Sequence, residues 1–371
     1  MSEYQYYEFQ AIDQPLDRAA QEELRSFSSR ARITATSFTN HYNWGDFDGD
    51  PRAFMEQWFD LHLYVANWGA RRLMMRVPKR FLDPAALDLF LREIDWVDAS
   101  ISGDDVIIDI SWDEDEPPEE WDDGTGWLAM LAPLRADVLA SDLRLFYLLW
   151  LQAVQCELVS DDELEPLPGI GPLTGALEAF AEFCGIDRNL VEAAAESGVS
   201  NLPSKDMLRE AVAAISEDEK TELLLRLVEG DSHVAAELKG RIRADYQASS
   251  VPLRTVSALR KRAREIADER ERAEAKRREA ERRIQAEQAE KARQVRLKSL
   301  RQRGAKVWSE VEEEIERRNA SGYDKAASLI SDLQALAAED ANQSEFARRL
   351  SAIRARHETK RKFIERLNKL V

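Results

Sequence analysis

The sequence predicts an α+β N-terminal domain followed by an all-α bundle, a long charged helix and a small helical C-terminal module. Short aromatic and β-branched runs alternate with helical patterns up to residue 112, and the pattern from residue 127 onward is helical. Residues 254–303 contain neither proline nor glycine and are mainly Ala, Glu, Arg, Lys and Gln, which favours one continuous helix. The predicted boundaries are 1–112 for the α+β domain, 113–126 for an acidic linker, 127–250 for the bundle, 251–303 for the long helix and 304–371 for the C-terminal module.

The N-terminal domain is predicted to have the order β-α-β-α-β-α-β-β. Strands are predicted at 4–12, at 33–42, at 63–78 as one strand that follows a helix, and in a final hairpin that turns at Gly103 and Asp104. Helices are predicted at 17–27, at about 51–62, and after Asp83, which N-caps a short helix with Pro84 at its first position.

The bundle at 127–250 is predicted to contain about five helices. Ser216 and Glu219 have the spacing of a capping box, in which the serine hydroxyl accepts a hydrogen bond from the third helical amide. After the long helix, the chain from residue 308 to the end is predicted to form about three helices, with a break at 319–322.

The long helix is predicted to be a free strut or a coiled coil. Its first turns carry apolar residues that could form a seam, namely Val256, Leu259, Ala263, Ile266 and Ala267. Apolar residues are sparse farther along, which argues against a leucine-type coiled coil. An acidic residue followed four positions later by a basic one stabilises a helix by about 0.2–0.5 kcal/mol per pair. The helix has four such pairs: Asp268–Arg272, Glu274–Arg278, Glu279–Arg283 and Glu287–Lys291. A rise of about 1.5 Å per residue gives such a helix a length of about 75 Å.

The charge of the chain is unevenly distributed. The formal net charge is −18, but residues 1–253 carry −28 and residues 254–303 carry +9. The N-terminal sequence MSEYQYYEFQ lacks the basic and apolar regions of a signal peptide, and the longest apolar run, 143–154, is too short to span a bilayer. A cytoplasmic protein with no membrane contact is therefore predicted. Cys156 and Cys184 lie in apolar helical segments and are predicted to be buried free thiols.

Motifs for catalysis, cofactors and metals are weak. The sequence has no GxSxG, P-loop or GxGxxG motif, and its histidines are scattered at positions 41, 62, 233 and 357. The acidic segment 46–50 lacks the later glycine and glutamate of a calcium loop and is interpreted as an N-capping loop. The glycine-rich segment 167–177 could hold a phosphate through its amides, but no Lys or Arg lies between Arg144 and Arg188, so it is interpreted as a connecting loop. No catalytic residue, metal or cofactor is predicted.

Two groups of residues are candidates for binding. The first mixes large rings with amides, as protein-binding surfaces often do; its members are Asn40, Tyr42, Trp44, Asn67 and Trp68. The alternative for this group is a set of core tryptophans with satisfied amides. The second group is basic and could neutralise phosphates without reading sequence; its members are Arg260, Lys261, Arg262, Arg264, Lys276, Arg277, Arg278, Arg282 and Arg283. The alternatives for the second group are pairing with glutamates of the same helix and docking on the acidic part of the same or another chain.

Three segments near the N-terminus carry a resemblance to known proteins: YQYYEFQAIDQPL, SSRARITATSFTNHYNWGDFDGDP and LYVANWGARRLMMRVP. They resemble an uncharacterised family of bacterial cytoplasmic proteins of similar length. The C-terminal segments YDKAASLISDLQALA, FARRLSAIRARH and KFIERL are similar to the tails of bacterial proteins that bear SWIM-type zinc fingers, although this chain lacks the finger. The resemblance implies a bacterial origin and work alongside nucleic-acid-associated machinery, and it brings no catalytic residue with it.

The function predicted from the sequence is a non-enzymatic, multi-domain adaptor that binds partner proteins and spaces them through the long helix. One alternative is a nucleic-acid-associated protein that uses the basic face of residues 254–303. The other is an enzyme with an unfamiliar site in the N-terminal domain. Self-association through the long helix is compatible with each of these functions.

Overall fold

The computed structural model describes residues 3–45, 47–113, 122–198, 205–246 and 252–368. The chain forms two compact units, Met1–Glu269 and Arg270–Val371. Most of the predicted acidic linker, residues 114–121, lies outside the described residues. The predicted boundaries between the α+β domain, the linker and the bundle therefore stay predictions.

An antiparallel sheet of seven strands, counted over the described residues, is the centre of the first unit. The strands are β1 (Gln5–Gln10), β2 (Arg32–Ile33), β3 (Ser37–Tyr42), β4 (Leu61–Ala66), β5 (Ala70–Pro78), β6 (Val97–Ser102) and β7 (Asp105–Asp113). Their order across the sheet is β2-β3-β1-β4-β5-β7-β6, and each neighbouring pair is antiparallel. The sheet of the predicted α+β fold is thereby confirmed, as is the hairpin that turns at Gly103 and Asp104.

Short helices follow the strands, and an aspartate caps each of the first two. The helices are α1 (Arg18–Phe27), α2 (Pro51–Gln57) and α3 (Asp88–Leu91), the last preceded by a 3-10 turn at Pro84–Leu87. The carboxylates of Asp17, Asp50 and Asp83 accept hydrogen bonds from amides at the starts of α1, α2 and the 3-10 turn. These local bonds satisfy donors that have no partner within the helix, which explains why the predicted starts are correct.

Two predicted elements in this region are shorter than expected. The strand predicted at 33–42 is divided into β2 and β3, because Thr34 and Ser37 close a turn through a backbone hydrogen bond of 2.9 Å and a hydroxyl contact of 2.7 Å. The helix predicted at 51–62 ends at Gln57. His62 instead lies within β4, where its side chain is fully buried.

The prediction of a single strand at 63–78 is wrong, because this segment contains most of a hairpin. β4 and β5 pair in antiparallel register, with Val65 opposite Arg71. The turn between them has Gly69 at a φ of 103° and a hydrogen bond of 3.1 Å from the amide of Gly69 to the carbonyl of Ala66. Glycine adopts this backbone conformation without the steric cost that a side chain would add.

Eight helices, rather than about five, occur in the described part of residues 127–246. They are α4 (Trp127–Leu131), α5 (Pro133–Leu139), α6 (Arg144–Gln155), α7 (Gly175–Phe183), α8 (Arg188–Ala195), α9 (Lys205–Ala214), α10 (Glu217–Val228) and α11 (Val234–Tyr246). The capping serine is confirmed, since Ser216 Oγ accepts from the amide of Glu219 at 3.3 Å. Cys184 is buried as predicted, whereas Cys156 is exposed.

Both faces of the sheet are covered. One face presents residues such as Leu63, Leu73 and Ile108 to a core shared with α4 to α8. The opposite face places Phe9, Phe38 and neighbouring rings against α1 and α2 in a second core. Because strand residues alternate between faces, β1 supplies Tyr6 to the first core and Tyr7 to the second.

The predicted long helix is confirmed as α12 (Val256–Arg303). In the first unit, four of its predicted seam residues are buried in the core, and these are Val256, Leu259, Ala263 and Ile266. Farther along, Ile284 and Val295 are exposed. Of the four predicted acid–base pairs, Glu274–Arg278 is 3.6 Å apart and Glu287–Lys291 is 2.7 Å apart. Pairing of α12 as a coiled coil stays a prediction.

In the residues that the structure describes, up to 368, the second unit combines the last turns of α12 with four more helices, one more than expected. They are α13 (Lys306–Glu316), α14 (Ala320–Glu339), α15 (Gln343–Arg356) and α16 (Arg361–Asn368). Leu297 and Leu300 of α12 are buried in the core of this unit together with Val307, Ile330 and Phe363. Asn319 caps α14 by accepting a hydrogen bond of 2.7 Å from the amide of Gly322, which explains the predicted break.

None of the helices in the described ranges has the length and apolar character needed to cross a membrane.

Candidate functional site

Trp44 and Trp68 lie at the same end of the sheet. Gln5, the first residue of β1, is paired with Tyr42 on one side and with Ala66 on the other. β3 and β4 both end at this position, and each tryptophan follows two residues later. Because neighbouring strands are about 4.8 Å apart, the two loops leave the sheet about 10 Å from each other. Trp44 is 77% exposed and Trp68 is 41% exposed.

Hydrogen bonds fix the two loops that carry these tryptophans. Asn67 Oδ1 accepts from the backbone amide of Tyr4 at 2.9 Å, and Gln5 Nε2 donates to the carbonyl of Gly45 at 3.3 Å. The ring of Tyr4 stacks on His41 with centroids 6.2 Å apart. The strand between the loops therefore holds both of them in place, so that little ordering is required when a ligand binds.

Two aspartates lie near Tyr4, the residue before β1. The hydroxyl of Tyr4 donates to the carbonyl of Asp123 at 3.0 Å, and Asp122 accepts from the indole nitrogen of Trp127 at 2.6 Å. Burial raises the pKa of Tyr4, and the charges of Asp123 and Asp122 raise it further. This end of the sheet thus combines exposed rings with negative charge, an arrangement that favours cationic and apolar groups.

The five predicted partner-binding residues differ in exposure. Trp44 and Trp68 face solvent, whereas Asn40 is only 4% exposed and its amide donates to Ser28 Oγ at 2.9 Å. Tyr42 is half-buried, with its ring edge-on against Tyr7 at 5.8 Å. Asn67 supports the turn, as described above. We therefore define the tryptophan surface as Trp44 and Trp68, and the two asparagines are structural rather than surface groups.

Part of the predicted basic group fastens α12 to the first unit. Arg260 donates to Asp161 Oδ1 and to the carbonyl of Val154, both at 2.7 Å. Arg262 makes three hydrogen bonds to the carboxylate of Glu196, the shortest at 2.6 Å. Arg264 Nε donates to the carbonyl of Arg260 at 3.3 Å. The guanidinium groups of Arg260 and Arg262 are therefore already engaged with protein acceptors.

The rest of the basic group is exposed on α12, and apart from Lys261 it lies on the middle turns. Lys261 is exposed near the start of the helix, Arg277 is 3.0 Å from Glu281, and Arg278 is paired with Glu274. Among these remaining cations, four form no ion pair within the described ranges, and these are Lys261, Lys276, Arg282 and Arg283. Nucleic-acid binding stays a prediction for these positions.

A polar cleft lies where α5 and the start of α11 meet the loop after β1. Arg135 is buried, donates to both carboxylate oxygens of Asp13 at 3.0 and 2.6 Å, and donates through Nε to the carbonyl of Arg76 at 2.7 Å. His233 Nε2 is 3.1 Å from Asp13 Oδ2. Burial alone would raise the pKa of Asp13, but hydrogen bonds and charge from Arg135 and His233 outweigh burial and lower it. Asp13 therefore serves as an ionised acceptor that joins three segments.

The glycine-rich segment 167–177 is a tightly bonded loop. The amides of Gly169, Ile170 and Gly171 donate to the carbonyls of Leu167, Ala194 and Ser197, so these amides are not directed at a ligand. Arg144 donates to the carbonyls of Ile170 and Pro172. The interpretation as a connecting loop is confirmed.

Acidic groups give no metal site in the part of the chain that the structure describes, where no three His, Cys, Asp or Glu side chains form a group that could hold an ion. Asp50, from the predicted acidic loop at 46–50, accepts from the amide of Arg52 at 2.9 Å and so caps α2. Asp46 lies outside the described residues.

The second unit has a surface groove of about 270 Å³. Apolar side chains form much of its lining, and they include Leu300, Trp308, Leu333, Leu336 and Phe346. The rings of Trp308 and Phe346 are 5.8 Å apart, and Arg349 lies over the Trp308 ring at 5.8 Å. Sequence reasoning missed this groove, because its wall residues come from four successive helices, α12 to α15, whose packing the sequence does not reveal.

Comparison of the chain with family models, curated proteins and solved structures gives no match. The function is therefore inferred from the geometry of the chain itself.

Proposed function

We propose that this chain is a protein-binding adaptor whose first unit engages a partner through the tryptophan surface. The observation that carries the proposal is the position of Trp44 and Trp68, both exposed, at one end of the sheet. Tryptophan is enriched among the residues that dominate binding energy at protein interfaces. Burying an exposed indole ring in an interface is favourable, because its apolar surface leaves water. The loops that carry these indoles are held by hydrogen bonds, so they lose little conformational freedom on binding.

The partner segment best suited to this surface carries Arg or Lys among apolar residues. Asp122 and Asp123 lie near the hydroxyl of Tyr4, the residue before β1, and residues 1–253 carry a net charge of −28. A guanidinium group placed over an indole ring contributes roughly 0.5–2 kcal/mol. Electrostatic attraction of a basic segment also accelerates association.

An adaptor needs a second attachment point, and the groove beside Trp308 in the second unit is the candidate for it. Its apolar floor and its size suit one aromatic or aliphatic side chain of a second partner. We also propose that α12 spaces the two partners.

Site-specific crosslinking tests the first attachment point. The photoreactive amino acid p-benzoylphenylalanine is incorporated at position 44 or 68 in place of tryptophan, and crosslinking is carried out in the cells that produce the protein. In the matched control it is incorporated at position 89, in place of Leu89, an exposed apolar residue on α3. The proposal predicts the same discrete crosslinked protein from positions 44 and 68 and not from position 89. If the three positions give the same set of products, or none, the tryptophan surface is not a docking site.

A further inference from the structure

A second surface of the first unit, on α10, carries four exposed apolar side chains. They are Leu224, Leu225, Leu227 and Val228, with exposed fractions of 62, 52, 56 and 85%. Residues three and four apart are neighbours on a helix surface. Leu224 is therefore adjacent to Leu227 and Val228, and Leu225 is adjacent to Val228. The four side chains form one continuous patch, defined here as the α10 patch.

The opposite side of α10 is firmly attached to α11. Leu223 is buried, and Arg226 is paired with Asp231 at 2.7 Å and with Glu237 at 2.9 Å. Arg241 of α11 forms ion pairs with Glu219 and Glu237. The α10 patch therefore lies on a helix whose orientation is already fixed.

Acidic residues border the patch on one side. Asp218, Glu222 and Glu229 follow the same side of the helix as Leu225, since each is three, four or seven residues from it. All three are exposed, and within the described ranges none of them forms an ion pair. The neighbouring Lys220 is already paired with Glu217 at 2.9 Å. The border thus has uncompensated negative charge.

We propose that the α10 patch binds a basic amphipathic helix of a partner protein, with its apolar stripe on the patch and its Lys or Arg side chains along the acidic border. Two amphipathic helices pack against each other through apolar side chains at this spacing. The acidic border disfavours an anionic membrane surface, and it also disfavours a second copy of α10, which would bring like charges together. This inference concerns a surface separate from Trp44 and Trp68 and stands without them.

The test uses the full chain and a pair of designed peptides. One is a helical peptide with a leucine stripe flanked by lysines, and the other has glutamate in place of each lysine. Binding is measured by fluorescence anisotropy at low and moderate salt. The chain is expected to bind the basic peptide at least about 10-fold more tightly than the acidic one, with weaker binding as salt rises.

Variants locate the peptide on the surface. The double variant Leu224→Ala/Val228→Ala is expected to weaken binding of the basic peptide by about 10-fold or more, and Glu222→Lys/Glu229→Lys to do the same through charge. The matched control Leu89→Ala/Ile101→Ala changes exposed apolar residues elsewhere on the unit and should leave binding within about 2-fold. Thermal unfolding verifies that each variant is folded.

Four results would overturn the proposal. They are equal binding of both peptides, unchanged binding by the Leu224→Ala/Val228→Ala variant, dimerisation in light scattering that this variant abolishes, and binding to vesicles of anionic lipid that depends on the patch. Loss of crosslinks at positions 44 and 68 would leave this inference intact, because the α10 patch shares no residue with the tryptophan surface.

Discussion

Arg254 and Glu165 form a bidentate ion pair where the long helix begins. Arg254 Nε and Nη2 are each 2.9 Å from a different carboxylate oxygen of Glu165, whose side chain is completely buried. The backbone amide of Arg254 donates to the same carboxylate, and the hydroxyl of Tyr147 donates to it as well. Burial and the adjacent Glu165 raise the pKa of Tyr147, which keeps its phenol protonated as a donor. The start of α12 is therefore anchored by a buried carboxylate with all its acceptors used.

We predict that Glu165→Gln destabilises the first unit by about 3 kcal/mol, because it leaves a partly buried guanidinium without its counter-charge. Urea unfolding followed by tryptophan fluorescence measures the change. The matched control is Glu22→Gln, since the Glu22–Arg18 pair is exposed and should contribute less than about 1 kcal/mol. Equal effects of the two substitutions would contradict the anchoring role of Glu165.

Stability should fall as the pH is lowered from neutral, because His62 is buried as the neutral imidazole. Burial lowers the pKa of His62 to about 3, from an ordinary value near 6.5. The unfolded chain takes up a proton below about pH 6.5 and the folded chain does so only near pH 3. The contribution of His62 to the free energy of unfolding is therefore fully present above about pH 6.5. It is lost as the pH falls from about 6.5 to about 3, at up to about 1.4 kcal/mol per pH unit.

The measurement is the free energy of unfolding at pH 7 and pH 5 for the wild-type chain and for His62→Gln. The variant should be less stable at neutral pH and should show a smaller loss on acidification. His41→Gln, at an exposed position, is the control and should retain the wild-type slope. A slope unchanged by His62→Gln would contradict the assignment.

Gly169→Ala is expected to destabilise the loop before α7 by about 1–3 kcal/mol. Gly169 has a φ of 85°, and an added Cβ would be 2.2 Å from the carbonyl oxygen of Ser197. The matched control is Gly175→Ala at the start of α7, where an added Cβ meets no atom within 4 Å. Because alanine is the better helix former, the control should be neutral or stabilising by up to about 1 kcal/mol. Thermal unfolding of both variants checks this contrast, and a stability loss of the same size in both would contradict it.

Trp44→Phe should remove a strongly quenched component from the intrinsic fluorescence, because 77% of Trp44 is exposed. Acrylamide quenching of the native chain measures this directly. The same substitution should change the free energy of unfolding by less than about 0.5 kcal/mol, as expected for a surface position. Trp150→Phe, at a buried position in α6, is the control and should leave the quenched component in place. Unchanged quenching in Trp44→Phe would show that the indole is covered.

Sequence reasoning succeeded where a structural feature depends on a few adjacent residues. The caps at Asp83 and Ser216 were predictable because each side chain bonds an amide two or three residues later. The length of α12 was predictable because 48 residues without a helix breaker favour a single state.

Features that depend on distant residues could not be read in the same way. The segment from Leu61 to Val77 was predicted to be part of one strand, and the hairpin turn at Gly69 within it was missed. Asn40 resembled a binding residue until its partner Ser28 was known. The sequence TELLLRLV gave the same pattern whether α10 was covered or exposed, and only the fold shows that Leu224 and Val228 face solvent.

The most direct test of the adaptor function is the dissociation constant between the full chain and the partner identified by crosslinking, measured by calorimetry. The variant Trp44→Ala/Trp68→Ala should weaken binding by about 100-fold. Loss of one interface tryptophan commonly costs about 2 kcal/mol of binding free energy, and the effects of two neighbouring ones are less than additive. The control Met130→Ala, at an exposed position of α4, should bind as the wild type does. A double variant that binds the partner with unchanged affinity would contradict the proposed role of the tryptophan surface.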